Sequence, residues 1–148
     1  MIDVKQTTDS NFKPVEGLWL MAKPIAGVAC AKVINGTLLI PYSFSEEKLT
    51  GHFYGCRIIE NTLFCHFEHF DKAFAGVLFL DVAPNGTLKG GRWKSDQVSD
   101  AVRQNISCVS ESLPGMQPVV WVRIRSKETP QWAKRYFDDE DWPNKHKS

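Results

Sequence analysis

Lys23-Pro24-Ile25-Ala26-Gly27-Val28 returns later in the chain as Lys72-Ala73-Phe74-Ala75-Gly76-Val77, and this echo indicates a β meander. Each copy leads to a turn, Asn35-Gly36-Thr37-Leu38 in the first and Asn85-Gly86-Thr87-Leu88 in the second, and an aromatic residue, Tyr42 or Trp93, follows. Asn-Gly between apolar segments is typical of β-hairpins. A duplicated three-stranded unit and independent use of the same turn chemistry both account for the echo, and both predict β-structure.

Short apolar segments separated by Gly, Pro and Asn extend in both directions from this stretch. They predict strands over 17–22, 26–34, 37–44, 50–59, 62–70, 74–83 and 87–94, and 119–125 alternates as a closing strand. We therefore predict an all-β fold, an antiparallel meander of about eight strands forming a small barrel or sandwich. Residues 101–112 fit either a strand or a short helix. Thr129-Pro130 predicts a short C-terminal helix over 131–137.

The composition indicates one globular domain over residues 1–148, with a loose N-terminal segment (1–14) and a charged tail (138–148). The chain is 43% hydrophobic and 24% charged, and its formal net charge of +1 gives no global attraction to nucleic acid or to an anionic membrane. Residues 1–14 are polar, and no apolar run approaches the roughly 20 residues of a spanning helix. These features predict a cytoplasmic protein with no membrane association.

The central hairpin can be given a register from its sequence. A turn centred on Glu60-Asn61 pairs Cys56 with Cys65, Tyr54 with Phe67 and His52 with His69. The face predicted to point inward then carries eight residues, namely His52, Tyr54, Cys56, Ile58, Leu63, Cys65, Phe67 and His69. The two cysteines fit either a cross-strand disulfide or a pair of free buried thiols, and the absence of a leader favours free thiols.

The same hairpin holds the residues best suited to catalysis or to metal binding: His52, Cys56, Cys65, His66, Glu68, His69 and Asp71. Cys and His are the ligand types of zinc sites. However, His52 and Cys56 lie four strand residues apart, roughly 13 Å at the usual rise, and His66 projects oppositely to His69. We therefore predict no metal, no cofactor and no identifiable catalytic residue, with a hydrolytic or metal-dependent enzyme kept as an alternative.

A basic set with interleaved aromatics lies in the second half of the chain. It comprises Arg92, Lys94, Arg103, Arg123, Arg125, Lys127, Lys134 and Arg135, with Trp93, Trp121, Trp132 and Tyr136. This mixture suits nucleic-acid strands, a protein interface, or strands that bury one face and expose the other. We favour the last over nucleic acid. The aromatic C-terminal helix is predicted to cover a barrel end or to dock on a second subunit, which leaves a homodimer open.

Two short patterns resemble the calycin barrels, the lipocalins and avidins. Gly17-Leu18-Trp19 is similar to the Gly-x-Trp that opens their first strand, and Leu49-Thr50-Gly51 and Leu88-Lys89-Gly90 are similar to the Leu-x-Gly strands of avidin-like meanders. The resemblance covers about residues 17 to 94. It implies a barrel with a cavity for a small molecule, and no functional residue is carried over from it.

These observations predict non-enzymatic binding of a small, partly apolar ligand in or at the mouth of the barrel. Trp19, Tyr54, Phe67 and Trp93 are predicted to line the site, with His52 and His69 supplying polar contacts, since ligand pockets combine an apolar lining with a few polar groups. A protein-interaction or homo-oligomer module that uses the C-terminal helix and the Arg/Trp strand is the first alternative.

Overall fold

Eight antiparallel strands form a closed barrel in which each strand pairs with its sequence neighbours and the last pairs with the first. The computed structural model describes residues 12–23, 25–45, 48–83, 85–126 and 128–138. The strands are β1 (Gly17–Lys23), β2 (Gly27–Ile34), β3 (Thr37–Ser43), β4 (Gly51–Ile59), β5 (Thr62–His69), β6 (Ala75–Val82), β7 (Thr87–Lys94) and β8 (Gln117–Ile124). The helices are α1 (Asp100–Gln104) and α2 (Gln131–Asp138). The all-β prediction with a short C-terminal helix is confirmed, and the sheet is a barrel rather than a sandwich.

Neither α1 nor α2, nor any other helix within the described ranges, is long and apolar enough to cross a membrane. Residues 101–112, for which strand and helix were both open, contain most of α1 and a 3₁₀ turn at Ile106–Cys108. The predicted charged tail lies outside the described residues after Asp138, where α2 ends.

The two tightest turns lie where the sequence predicted them. Asn35 and Gly36 have φ of 53° and 78°, and Glu60 and Asn61 have φ of 51° and 73°. Positive φ at both central residues is the geometry of a primed two-residue hairpin turn, whose twist matches that of the flanking strands. Ile34 therefore pairs with Thr37, and Ile59 pairs with Thr62, as the sequence predicted.

The two ends of the barrel differ in their connections. The hairpin end carries the short connections 35–36, 60–61 and 83–86. The loop end carries the connections 24–26, 44–50, 70–74 and 95–116. Binding residues tend to lie on loops held by a rigid scaffold, so the loop end is the better candidate for a binding site.

The hairpin end is closed by the segment that precedes β1. Phe12 and Val15 are buried, and a 3₁₀ turn spans Lys13–Val15. The indole Nε1 of Trp19 donates a hydrogen bond to the Val15 carbonyl oxygen at 2.7 Å. Residues 12–14 were predicted to be loose, but the burial of Phe12 and this hydrogen bond order them. Residues 1–11 of that segment lie outside the described residues.

Arg123 joins this closing segment to the barrel. Its Nη1 donates to the Glu16 carbonyl oxygen at 2.7 Å, and its Cζ lies 4.3 Å from the centroid of the Trp19 ring. Gly17 has φ of 120°, and a Cβ placed there would stand 2.6 Å from Arg123 Nη1. The glycine of the Gly-x-Trp pattern therefore provides both the backbone conformation and the space that the guanidinium needs.

The barrel interior is filled by apolar side chains from all eight strands. Successive residues of a strand point to opposite faces, so every second residue faces inward. The fully buried inward-facing residues include Trp19, Ala29, Leu38, Ile40, Tyr42, Leu63, Cys65, Leu78, Leu80, Leu88 and Trp121. Burial of side chains of this size is the main stabilisation of a domain this small.

Two further apolar clusters lie on the outer wall. The connection 95–116 folds back over β5, β6 and β7 and buries Val98, Ile106 and Val109 against Phe64, Val77, Phe79 and Trp93. Helix α2 packs Trp132 and Ala133 against Leu18 and Cys30 of β1 and β2. The helix was predicted to cover a barrel end or to dock on a second subunit, but it lies on the side wall of its own barrel.

The predicted register of the central hairpin is correct only near its turn. A bulge at Gly55, which has φ of 61°, shifts the pairing, so Tyr54 pairs with His66 and Phe53 with Phe67. The extra residue reverses which residues of β4 face inward. Phe53 joins the core, whereas His52 and Tyr54 lie on the outer wall, contrary to the prediction.

Candidate functional site

A depression lined mainly by apolar and aromatic side chains opens at the loop end of the barrel. Its wall is built from inward-facing residues near the ends of the strands and from the adjoining connections. The lining residues are Met21, Lys23, Ile25, Tyr42, Phe44, Phe53, Phe67, His69, Phe74, Leu78, Arg92, Val119 and Trp121. We call this depression the mouth pocket.

The mouth pocket is shallow because the barrel below it is filled. Its cavity volume is about 30 Å³, which is room for about two water molecules. Leu78 and Trp121 form part of its floor and are 1% exposed. A ligand can insert only a small group here, and the rest must lie between the residues at the rim.

The rim exposes unusually large apolar side chains. Ile25 is 50% exposed and Phe44 is 38% exposed, and both line the pocket. Isolated exposed apolar residues are normal on protein surfaces. Here two of them lie at one concave opening that also holds aromatic side chains, so the rim of the pocket is apolar as well as its wall.

The echoed segments supply matching positions on opposite sides of this rim. Ile25 and Phe74 occupy the same place in the two copies, and Tyr42 and Arg92 each follow the turn leucine by four residues. In the closed ring of eight strands, β2 and β6 are four strands apart, as are β3 and β7. The two apolar residues therefore face each other across the mouth, as do the phenol and the guanidinium.

Arg92 is the most polar group of the mouth pocket. Its Nε and Nη2 donate to Gln117 Oε1 at 3.2 and 3.0 Å, and its Cζ lies 4.8 Å from the centroid of the Phe74 ring. These contacts hold the plane of the guanidinium in place. Burial lowers the pKa of Arg92 from its usual value, partly offset by Tyr42, because an apolar surrounding disfavours the charged form.

The other polar side chains at the mouth are held in defined protonation states. Burial strongly raises the pKa of Tyr42, so its hydroxyl stays protonated at neutral pH. Burial lowers the pKa of His69, with Arg92 acting in the same direction and Asp71 opposing, so the imidazole is neutral at pH 7. The pocket wall thus contains a protonated phenol and a neutral imidazole in addition to the guanidinium.

Two of the six predicted ligand-binding residues line the mouth pocket. Phe67 and His69 face inward on β5 and reach it as expected. Trp19 faces inward but sits toward the hairpin end, beneath Arg123. Trp93 lies on the outer wall, where its Nε1 donates to the carbonyl oxygens of Leu113 and Pro114 at 3.3 and 3.1 Å.

The remaining two, His52 and Tyr54, lie outside the barrel. His52 is 3% exposed beneath α2, where its Nδ1 lies 2.8 Å from the Tyr136 hydroxyl and its Nε2 lies 3.5 Å from Glu68 Oε1. Tyr54 stacks on His66, with ring centroids 5.3 Å apart. The register shift at Gly55 turns His52 to the outer wall, where it contacts the C-terminal helix.

The hairpin residues considered for metal binding or catalysis are dispersed. Cys56 and Cys65 are free thiols with Sγ atoms 3.0 Å apart, and burial raises the pKa of Cys65 well above its usual value. His52, His66 and His69 lie under the helix, on the outer wall and at the mouth. In the described part of the chain, no group of three or more His, Cys, Asp or Glu side chains is placed to hold a metal ion.

A second, larger depression of about 400 Å³ lies on the outer wall between β1, β2, the end of β8 and the connection to α2. Two of its cations are already engaged. Lys32 Nζ lies 5.4 Å from the centroid of the Phe137 ring, and Arg123 donates to backbone carbonyls near β1. The mouth pocket is smaller, but it has an aromatic lining together with polar side chains, and we therefore take it as the candidate site.

Tyr42 and Arg92 are the site residues that the sequence interpretation missed. A signal was present: Leu38 and Leu88 are the inward-facing residues after the turns, and an even spacing keeps a residue on the same face of a strand. Tyr42 and Arg92 follow at a spacing of four and face inward, whereas Trp93 follows at five and faces outward.

Comparison with protein-family models, with curated proteins and with solved structures finds no match to this chain. The eight-stranded antiparallel barrel is compatible with the resemblance to calycins, which depends on topology and on the short patterns given above.

Proposed function

We propose that this protein binds a small, partly apolar ligand at the mouth of its barrel, without chemical conversion. The observation that carries the proposal is the mouth pocket itself. An apolar, aromatic-lined concavity lies at the end of the barrel with the longer connections, and Tyr42, His69 and Arg92 converge on it. Concave apolar sites with a few polar groups are the usual form of small-molecule sites.

The small volume of the mouth pocket also limits the size and shape of the ligand. The filled interior leaves about 30 Å³, so an elongated ligand lying along the barrel axis, as an open barrel of this size could hold, does not fit. The ligand is small, its apolar end contacts Ile25, Phe44 and Phe74, and its polar end meets the groups at the rim. A cytoplasmic location and a homodimer stay predictions from the sequence.

The burial of the aromatics favours this proposal over an interaction module. Trp132 and Tyr136 of α2 are 5% and 1% exposed against the protein's own barrel. Trp93 and Trp121 are also buried, one on the outer wall and one in the core. Interface anchors need aromatic surface that a partner can reach, and these residues do not supply it.

The proposal is tested by NMR titration of ¹⁵N-labelled protein with three five-carbon probes: pentanoate, pentan-1-ol and pentan-1-amine. We expect saturable shift changes at Ile25, Phe44 and Phe74 with at least one probe. The Ile25→Ser variant is expected to weaken that binding by about fivefold, because it removes about 1 kcal/mol of apolar contact.

The matched control is Leu20→Ser, which removes a 41% exposed apolar side chain from the outer wall. We expect this variant to bind like the wild type. Equal affinities of the wild type and Ile25→Ser, or no saturable binding of any of the three probes, would overturn the proposed function.

A further inference from the structure

We propose that the mouth pocket selects an anionic ligand, a small carboxylate with a short apolar tail whose carboxylate is bound by Arg92. The inference rests on the proposed function and adds the charge of the ligand to it. Neither the apolar lining nor the calycin resemblance specifies that charge.

The first observation is the position of Arg92 on the inward-facing side of β7. Leu88, Gly90 and Arg92 share the inward-facing side of β7, and Arg92 is the one of the three that reaches the mouth pocket. A long cationic side chain normally extends into water and uses its stem to cover apolar surface. Here the guanidinium instead lies half-buried over Phe74, in the wall of an apolar concavity.

The second observation is the nature of its partners. Both hydrogen bonds of Arg92 go to the neutral amide oxygen of Gln117 through Nε and Nη2. Within the described residues, no carboxylate forms an ion pair with Arg92, and Nη1 makes no hydrogen bond. A half-buried charge without a counter-ion is costly, and an anion that brings its own charge offsets that cost.

Two acidic side chains lie near the mouth, and within the described residues neither forms an ion pair with Arg92. Glu68 lies on the outer wall beside His52, at 3.5 Å. Asp71 accepts a hydrogen bond from the backbone N–H of Ala73 at 2.8 Å, and its charge acts on Tyr42 and His69. The guanidinium of Arg92 is oriented by the neutral Gln117 and not by a carboxylate.

The third observation is the second cationic side chain at the pocket. Lys23 lines the pocket and only donates. Tyr42 is buried in the pocket wall, and Tyr42 and the neutral imidazole of His69 can each donate or accept. An ionised carboxylate is acceptor-only and takes two parallel N–H bonds from a guanidinium, so it suits Arg92 and Lys23 better than an alcohol or an amine does.

The test compares head groups on one tail. Wild-type protein is titrated with pentanoate, pentan-1-ol and pentan-1-amine, and also with acetate, which has the head group alone. We expect pentanoate to bind about tenfold more tightly than pentan-1-ol, as a charge-assisted hydrogen bond predicts, and the amine and acetate to bind more weakly than pentanoate.

Three variants locate the selectivity. Arg92→Gln is expected to remove the preference of pentanoate over pentan-1-ol, and Arg92→Lys, which keeps the charge but loses the planar fork, is expected to retain part of it. Lys89→Gln removes the same charge from an exposed, outward-facing position near the hairpin end of the same strand and is expected to leave the preference intact. A dispersed amide spectrum identifies variants that are folded.

The outcomes separate the two proposals. Equal binding of pentanoate and pentan-1-ol at the mouth overturns the anion inference and leaves the proposed function standing. A preference for pentanoate that survives in both Arg92 variants, or that Lys89→Gln reduces as much as Arg92→Gln does, also overturns it. If no probe binds, both proposals fall.

Discussion

Two arginines face inward at opposite ends of the barrel, and their surroundings differ in a way that assigns them different roles. Arg123 donates to the carbonyl oxygens of Glu16 and Pro14 and lies over Trp19. Arg92 is bound by the neutral Gln117 and lies over Phe74. The first therefore closes the hairpin end and supports the fold, whereas the second retains an available charge at the mouth.

Replacement of Arg123 by Met tests the structural role. We expect the free energy of unfolding to fall by about 2 to 4 kcal/mol, because the variant loses two charged hydrogen bonds to carbonyls and a cation–π contact. Urea denaturation provides the measurement. Arg125→Met, at an exposed position two residues on, is the control. If both variants were equally stable, Arg123 would not be holding the closing segment.

For individual residues, the sequence predicted turn positions better than the face of the strand to which a side chain points. Asn35-Gly36 is visible as a turn because a primed turn requires positive φ at two adjacent positions, which Asn and Gly both accept. Glu60-Asn61 was placed as the centre of the hairpin and not from turn chemistry, since glutamate does not favour positive φ. The direction of Tyr42, Arg92 and Trp93 depends on counting from an inward-facing leucine. Trp93 was predicted to line the site, but it follows Leu88 by five residues and faces outward, whereas Arg92 follows by four and faces inward.

At the element scale, one residue separates the predicted hairpin from the observed one. The strands β4 and β5, their bounds and their turn were predictable from alternation. The bulge at Gly55 was not, because a glycine within a strand can be extended or left-handed, and long-range packing decides between the two. In this barrel, the bulge places Phe53 in the apolar interior and His52 on the outer wall, where it contacts Tyr136.

The bulge makes a prediction about Gly55. Its φ of 61° suits glycine, and an added Cβ would lie 3.0 Å from His66 Cδ2. Gly55→Ala is expected to cost about 1 kcal/mol, and Gly55→Asn less, because asparagine tolerates the left-handed region. Chemical denaturation of the two variants beside the wild type gives the comparison. An alanine variant at least as stable as the asparagine variant would show that this φ is not the constraint.

The docking of α2 gives a second prediction at this scale. The Tyr136 hydroxyl and His52 Nδ1 are 2.8 Å apart and buried. Tyr136→Phe keeps the ring and is expected to lower the free energy of unfolding by about 1 to 2 kcal/mol, with faster amide hydrogen exchange in α2. Lys134→Ala, on the exposed side of the helix, is the control. Unchanged exchange in α2 would contradict a docking role for this hydrogen bond.

At the scale of the whole molecule, the barrel is a filled scaffold with unequal ends. Its hairpin end is closed by residues 12–16, its wall is covered on two sides by α2 and by the connection 95–116, and its loop end holds the mouth pocket. The number of strands, their order and the C-terminal helix followed from the sequence. Closure and the filling of the interior did not, because they depend on how side chains from all eight strands pack together.

The buried thiol and phenol groups predict that the stability of the fold decreases at alkaline pH. Burial raises the pKa of Cys30 to about 11, against 9.0 for an ordinary thiol, and raises that of Cys65, Tyr42 and Tyr136. Above about pH 9 the unfolded chain therefore loses protons that the folded protein keeps. Stability is full below that pH and falls as pH rises toward 11.

Urea denaturation at pH 7, 9, 10 and 10.5 measures this effect, and we expect the free energy of unfolding to decrease steadily above pH 9. Tyr42→Phe removes one of the four groups and is expected to flatten the slope. A free energy of unfolding that is constant from pH 7 to pH 10.5 would contradict the burial of these groups.

Intermolecular NOEs from a methyl-labelled sample to bound pentanoate would locate the ligand, which we propose to bind at the loop end of the barrel. We predict NOEs from the methyl groups of Met21 and Ile25 to the pentanoate chain, and none from those of Leu38 and Leu88, which lie deeper in the filled interior. NOEs confined to the outer-wall residues Leu20 and Val122, or spread over both ends of the barrel, would contradict it.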